Sequence, residues 1–116
     1  GMNVALLYQR DEMKLLGKKE YSPSFNSRSI LHVTGKVLNG DTLDIFVCHF
    51  HSRVDGIKKT KPFRIESAAL VKQKTDSLFR IRKRANIIIM GDFNDYPNDE
   101  SVYDILGAQS KQQKTI

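Results

Sequence analysis

Two short stretches of this chain carry polar side chains out of apolar runs, and their types suit phosphate chemistry. One is His49-Phe50-His51-Ser52-Arg53, the other Gly91-Asp92-Phe93-Asn94-Asp95. A carboxylate such as Asp92 binds or orients a metal ion or a water molecule. An imidazole or guanidinium, here His49 and Arg53, neutralises charge on phosphate oxygens. A carboxamide such as Asn94 positions a nucleophile. Hydrolysis of a phosphate ester needs these groups together. Each residue also has an ordinary reading. Asp92 and Asn94 suit turns in which the side chain bonds its own backbone. His49 suits a hydrogen-bonded core position and Arg53 a solvated surface. Their joint occurrence at two strand ends is what favours chemistry. His32, mid-strand, reads as structural, and His51 is a weaker partner for His49.

The elements that position these groups follow from the apolar pattern. Ile87-Ile88-Ile89-Met90 is a continuous apolar run rich in β-branched residues, which reads as a fully buried strand. Gly91 lets the chain turn beyond it. Residues 42–49 alternate, with Leu43, Ile45, Val47 and His49 on one face and Asp44, Phe46, Cys48 and Phe50 on the other. Both faces are mostly apolar, so this strand is central. His49 then lies level with Asp92 if the two strands run side by side. Between them, Pro62 opens a helix. Ile65, Ala68, Val71, Thr75, Leu78 and Phe79 form its apolar face, and Arg82-Lys83-Arg84 suit the negative end of its dipole. Strand, helix and strand make a crossover unit.

The remaining elements are lighter. Val4-Ala5-Leu6-Leu7-Tyr8 reads as a buried strand, Gln9-Arg10-Asp11-Glu12 as a turn, and residues 13–16 as a short strand. Residues 17–29 read as polar and irregular. Residues 30–38 form a strand joined to 42–49 through Asn39-Gly40-Asp41, a strong hairpin signal. Residues 51–61 read as a basic loop. Asp99 caps a short helix over 100–106, stopped by Gly107, and 109–116 is a polar, frayed tail.

Composition narrows the class. At 116 residues the chain is one domain or part of one. Its 40% apolar and 28% charged content excludes a disordered chain, and no apolar run is long enough to span a bilayer. The net charge of +6 suits phosphorylated partners, nucleic acid included, although solvated lysine and arginine faces account for much of it. One cysteine, Cys48, excludes an intrachain disulfide and favours a reducing, cytoplasmic compartment. A signal peptide upstream of this sequence would not be visible.

The Gly91-Asp92-Phe93-Asn94-Asp95 turn after an apolar strand resembles the signature of the endonuclease/exonuclease/phosphatase superfamily, the DNase I-like fold. Phe46-Val47-Cys48-His49-Phe50-His51-Ser52-Arg53 is similar to that family's strand-then-His motif. Tyr8 at the end of Ala5-Leu6-Leu7-Tyr8, and Arg28-Ser29-Ile30-Leu31-His32-Val33, fall in family order. The resemblance covers residues 3–106. It implies an α/β (α+β) chain forming part of a four-layered sandwich, with a mixed sheet and one long helix. It also implies a phosphoesterase dependent on Mg²⁺ or Mn²⁺. Asp92 would bind metal, Asn94 would hold water or phosphate, and His49 would contact phosphate. Arg53 matches no family element; its phosphate-binding role is inferred from charge alone.

The resemblance also implies residues that this sequence lacks. The family has an upstream metal-binding Glu and a late Asp-His pair, whereas His32, His49 and His51 are the only histidines here. Residues 1–116 are therefore expected to form a single partial domain, the middle of the full one, weakly active or inactive alone. Exposed strand edges would favour a homodimer or higher oligomer. The alternative is a non-catalytic module of the same ancestry that binds nucleic acid or protein through its basic surface.

Overall fold

A computed structural model describes residues 6–22, 29–50, 53–54 and 56–94. The described elements are β1 (Met13–Tyr21), β2 (Ile30–Val37), β3 (Thr42–His49), α1 (Ile57–Ile81) and β4 (Ile87–Asp92). The four strands form one sheet in the order β1-β2-β3-β4. β1 and β3 run antiparallel to β2, whereas β4 runs parallel to β3. The sheet is therefore mixed, and α1 is the crossover that parallel pairing demands.

Local chemistry sets these boundaries. Gly40 takes φ 91° between β2 and β3, a conformation that side chains disfavour. Asn39 braces the turn, accepting the Asp41 N–H at 2.9 Å and donating to the Asp41 carboxylate at 3.1 Å. At residues 9–13 the Gln9 carbonyl accepts from Glu12 and Met13, which makes the expected turn before β1.

β3 is central, and its alternation divides the core. Phe46, Cys48 and the adjoining Phe50 pack with Ile30 against Ala68, Val71 and Leu78 of α1. Ile45 and Val47 pack with Met13 and Val33 on the opposite face. Phe46 and Phe50 are essentially sealed from water. Each such side chain contributes about 2–3 kcal/mol of burial.

Several expectations change. β1 continues to Tyr21 instead of ending at residue 16. Its register jumps between Leu15 and Gly17, so Leu16 bulges and re-aims the strand. α1 begins at Ile57, ahead of Pro62, which lies inside it. No acidic residue occupies its first turn and no side chain caps it, so that start carried no sequence signal. Its buried stripe begins at Thr60, Arg64 and Ser67, while Phe79 is 62% exposed and lies off the stripe. β4 is not fully buried. Ile87 and Ile89 pack toward α1, but Ile88 and Met90 are 42% and 38% exposed, because β4 is an edge whose second face is uncovered among the described residues. Leu6, Leu7 and Tyr8 are not in a strand, although Leu6 packs on the second cluster. The short helix at 100–106, its Asp99 cap, the tail at 109–116 and His51 lie outside the described residues. Among the described residues no helix is long and apolar enough to cross a membrane.

Candidate active site at the ends of β3 and β4

β3 and β4 deliver their polar residues to one place. His49 is the register partner of Asp92, at the carboxyl ends of two parallel neighbours. Register partners in a sheet share a face, and this face is opposite α1, since Phe46 and Cys48 occupy the other row. Loops at such strand ends are held by a rigid sheet yet reach solvent.

Backbone and side-chain bonds then fix the turn. Phe50 donates its N–H to the Asp92 carbonyl at 2.8 Å. Asp92 Oδ1 accepts the Asn94 N–H at 3.0 Å, closing a short Asx-type loop. Asn94 takes φ 53° and donates Nδ2 to the Phe50 carbonyl at 2.7 Å. Arg53 Nε donates to the Asn94 carbonyl at 2.7 Å. Phe93 meets Phe50 edge to face at 5.2 Å, anchoring the turn on the helix-side core. Gly91, at φ 131°, passes so near the Cys48 backbone that no side chain fits there.

Arg53, Asp92 and Asn94 thus form one bonded group, and register sets His49 beside it. Arg53 reaches the backbone of the Asn94 turn, so it positions that turn as well as bringing charge to it. Asp92 is exposed, His49 is partly exposed, and the His49 imidazole has no hydrogen-bond partner among the described residues. These are the ordinary turn bonds and the exposed groups of a site at once: Asp92 spends Oδ1 on the turn, and Oδ2 meets no donor among the described residues.

Mg²⁺ takes one or two carboxylates, with water and substrate oxygens completing an octahedron. Among the described residues there is no cluster of three or more metal-ligating side chains. Among the described residues Asp92 is the one carboxylate at this place, and they do not by themselves make a complete metal site.

A second polar centre was not singled out from sequence. Asp44, fully buried in β3, accepts hydrogen bonds from Arg82 and Thr34, and its Oδ1 lies 2.9 Å from His32 Nε2. Burial pushes the Asp44 carboxyl up, but the bonds from Arg82, His32 and Thr34 outweigh it and hold the group below its ordinary value. The legible signal was an acid in the apolar row with Phe46, which requires a partner. His32 is structural as expected, stacked 4.3 Å from Phe46.

The mixed sheet, the crossover helix and the acid-amide turn define a DNase I-like α+β fold. The family model for the endonuclease/exonuclease/phosphatase family matches residues 1–116, and the chain belongs to that family. The chain is similar in fold to the human Nocturnin catalytic domain with bound sulfate, with a TM-score of 0.67 and 21% identity over 82% of this chain and 35% of that one. It is similarly related to D. rerio TDP2 humanized by 14 mutations, with a TM-score of 0.64 and 18% identity over 88% of this chain and 38% of that one. The chain thus spans little more than a third of each of these structures. No curated protein matches it.

Proposed function

We propose that residues 1–116 are the central part of a phosphoester hydrolase domain that works with Mg²⁺ or Mn²⁺. In this reading Asp92 supplies a carboxylate oxygen to the metal. Asn94 orients water or the scissile phosphate, and His49 contacts a phosphate oxygen. Arg53 adds charge on the phosphate side and holds the Asn94 turn. The carrying observation is the register of His49 beside Asp92, with the Asn94 turn bonded to both strand ends. When bound, a divalent ion would stabilise developing negative charge on phosphate oxygens. In this reading the chain alone has weak turnover, because no histidine follows Asp92 in its sequence to match the family's late Asp-His pair.

The test is hydrolysis of bis(4-nitrophenyl) phosphate with Mg²⁺ or Mn²⁺, paired with Mn²⁺ broadening of amide NMR signals. The reading expects slow, metal-dependent turnover that falls at least about 100-fold in Asp92→Ala. It also expects broadening centred on Asp92 and Asn94. Turnover indifferent to Asp92→Ala, or broadening elsewhere, would refute it. The +6 charge favours a second reading, a binding module of the same ancestry; salt-sensitive oligonucleotide binding with no turnover would select it.

Self-association belongs to the same proposal. Leu15, Leu16, Ile88 and Met90 are exposed on the two edge strands of the described sheet. Covering them with a second copy would give a dimer or larger assembly. A monodisperse monomer in light scattering at high concentration refutes that part.

A further inference from the structure

We propose that the cleft between the β1–β2 edge and the C-terminal half of α1 binds the phosphate group of a small phosphorylated molecule. The cleft has a volume of about 430 Å³ and is lined by Lys19 and Tyr21 of β1, His32 and Thr34 of β2, Lys74 of α1, and Arg82 just beyond it. These strand residues share the face toward α1. Lys19 is the register partner of His32, and His32 stacks on Phe46 of the helix-side core. The cleft is set apart from the Asp92 turn: its strand residues belong to β1 and β2 on the face toward α1, whereas Asp92 and His49 end β4 and β3 on the opposite face.

Charge points to an anion. Lys19 and Lys74 have no carboxylate partner among the described residues. The acid behind the cleft, Asp44, is already matched by Arg82. The C-terminus of α1 opposes an anion with about half a negative charge, less than the unmatched lysines supply.

Ring geometry narrows the ligand further. Lys74 Nζ lies 4.5 Å over Tyr21, and Tyr21 and His32 stack with centroids 6.4 Å apart. His32 in turn stacks on Phe46. Their faces are occupied by one another, so the cleft offers charge and hydroxyls more than a platform for a base. Its size is that of small-ligand sites. Space is also left by the β1 bulge: a Cβ added at Gly17, another lining residue, meets no atom within 4 Å.

Inorganic phosphate and adenosine 5′-monophosphate titrated into ¹⁵N-labelled chain test the site, with chloride at matched ionic strength as the blank. We expect saturable shifts at the amides of Gly17, Lys19, Lys74 and Ser77. Affinity should fall at least tenfold in Lys19→Glu and in Lys74→Glu. Gly17→Leu, which fills the cleft and removes no charge, should abolish binding. Gly17 is open, Lys19 is exposed and Lys74 is half-buried, so circular dichroism is used to check that all three variants keep the fold. Shifts reproduced by chloride, shifts confined to the Asp92 turn, or affinity unaltered by Gly17→Leu would overturn the site. Oligonucleotide binding without binding of either small anion would overturn the small-molecule assignment.

Discussion

Arg82, at the end of α1, reaches Asp44 in the central strand through both Nε and Nη2, each at 3.1 Å. Asp44 is sealed from water, whereas the Arg82 side chain is 28% exposed. The two halves of the pair are therefore unequal. Arg82→Ala strands a buried carboxylate and should cost about 3 kcal/mol, the lower end for a broken buried pair. Asp44→Ala leaves a guanidinium that can reach water, and should cost about 1–2 kcal/mol less than Arg82→Ala. Urea unfolding midpoints check the order, and equal losses would show that exposure does not set the asymmetry.

The same carboxylate makes stability depend on acid. Its folded pKa lies below the ordinary 3.8, since hydrogen bonds to the ionised form outweigh burial. Such a group contributes stability that is fully present above the unfolded value and is lost as pH falls through the folded one. The chain should therefore lose stability as pH drops below about 3.8, and Asp44→Asn should flatten that part of the profile. Thermal melts between pH 5 and pH 2 (roughly the range over which carboxylates titrate) measure it.

Gly91→Ala should be among the costliest single changes in the chain. The residue sits at φ 131°, and an added Cβ would overlap the Cys48 carbonyl oxygen, with the Cys48 carbon and nitrogen at 2.8 and 2.9 Å. The obstacle is backbone of the central strand, which cannot swing aside. Positive-φ strain alone costs about 1–3 kcal/mol, and the overlap adds to it. A urea midpoint within error of the parent would contradict this account of the turn.

The sequence carried the parts of this fold that repeat with a period. The alternation of residues 42–49 placed Phe46 and Cys48 on one face and Ile45 and Val47 on the other, as the two core clusters do. Asn39-Gly40 marked the hairpin because its geometry excludes most other residues. What failed to show were features set by tertiary context. The start of α1 lacks a cap and is stabilised by Arg64, whose Nη1 donates to Thr60 at 2.6 Å and Nη2 to the Ile57 carbonyl at 3.1 Å. The extension of β1 through Gly17-Lys18-Lys19-Glu20 rests on pairing with β2, not on its own polar residues. Ile88 and Met90 looked buried because composition cannot tell an edge strand's two faces apart. At the site, the placing of His49 level with Asp92 followed from periodicity once the strands were neighbours. The Arg53 bond to the Asn94 backbone spans 41 residues and had no local signature.

Cys48 should be inert in the native chain. It is buried in the helix-side core, and burial pushes its thiol up to about 12. The thiolate is the reactive form, so reaction at pH 8 must pass through opening of the structure. Iodoacetamide labelling should be slow without denaturant and rise in step with the unfolded fraction in urea. Rapid labelling of folded protein would contradict the packing around β3.

Asn94 separates backbone shape from side-chain chemistry. Asn94→Ala loses the 2.7 Å bond to the Phe50 carbonyl and also forces alanine to φ 53°. It should cost about 2 kcal/mol, one hydrogen bond and one left-handed residue. Asn94→Gly relieves the backbone and should cost about 1 kcal/mol. The phosphoesterase reading makes the opposite demand of activity. Both variants lack the carboxamide, so both should lose turnover by about 100-fold despite their different stabilities. If turnover instead follows stability, with the glycine variant nearly as active as the parent, the carboxamide serves the turn and takes no part in holding water or phosphate.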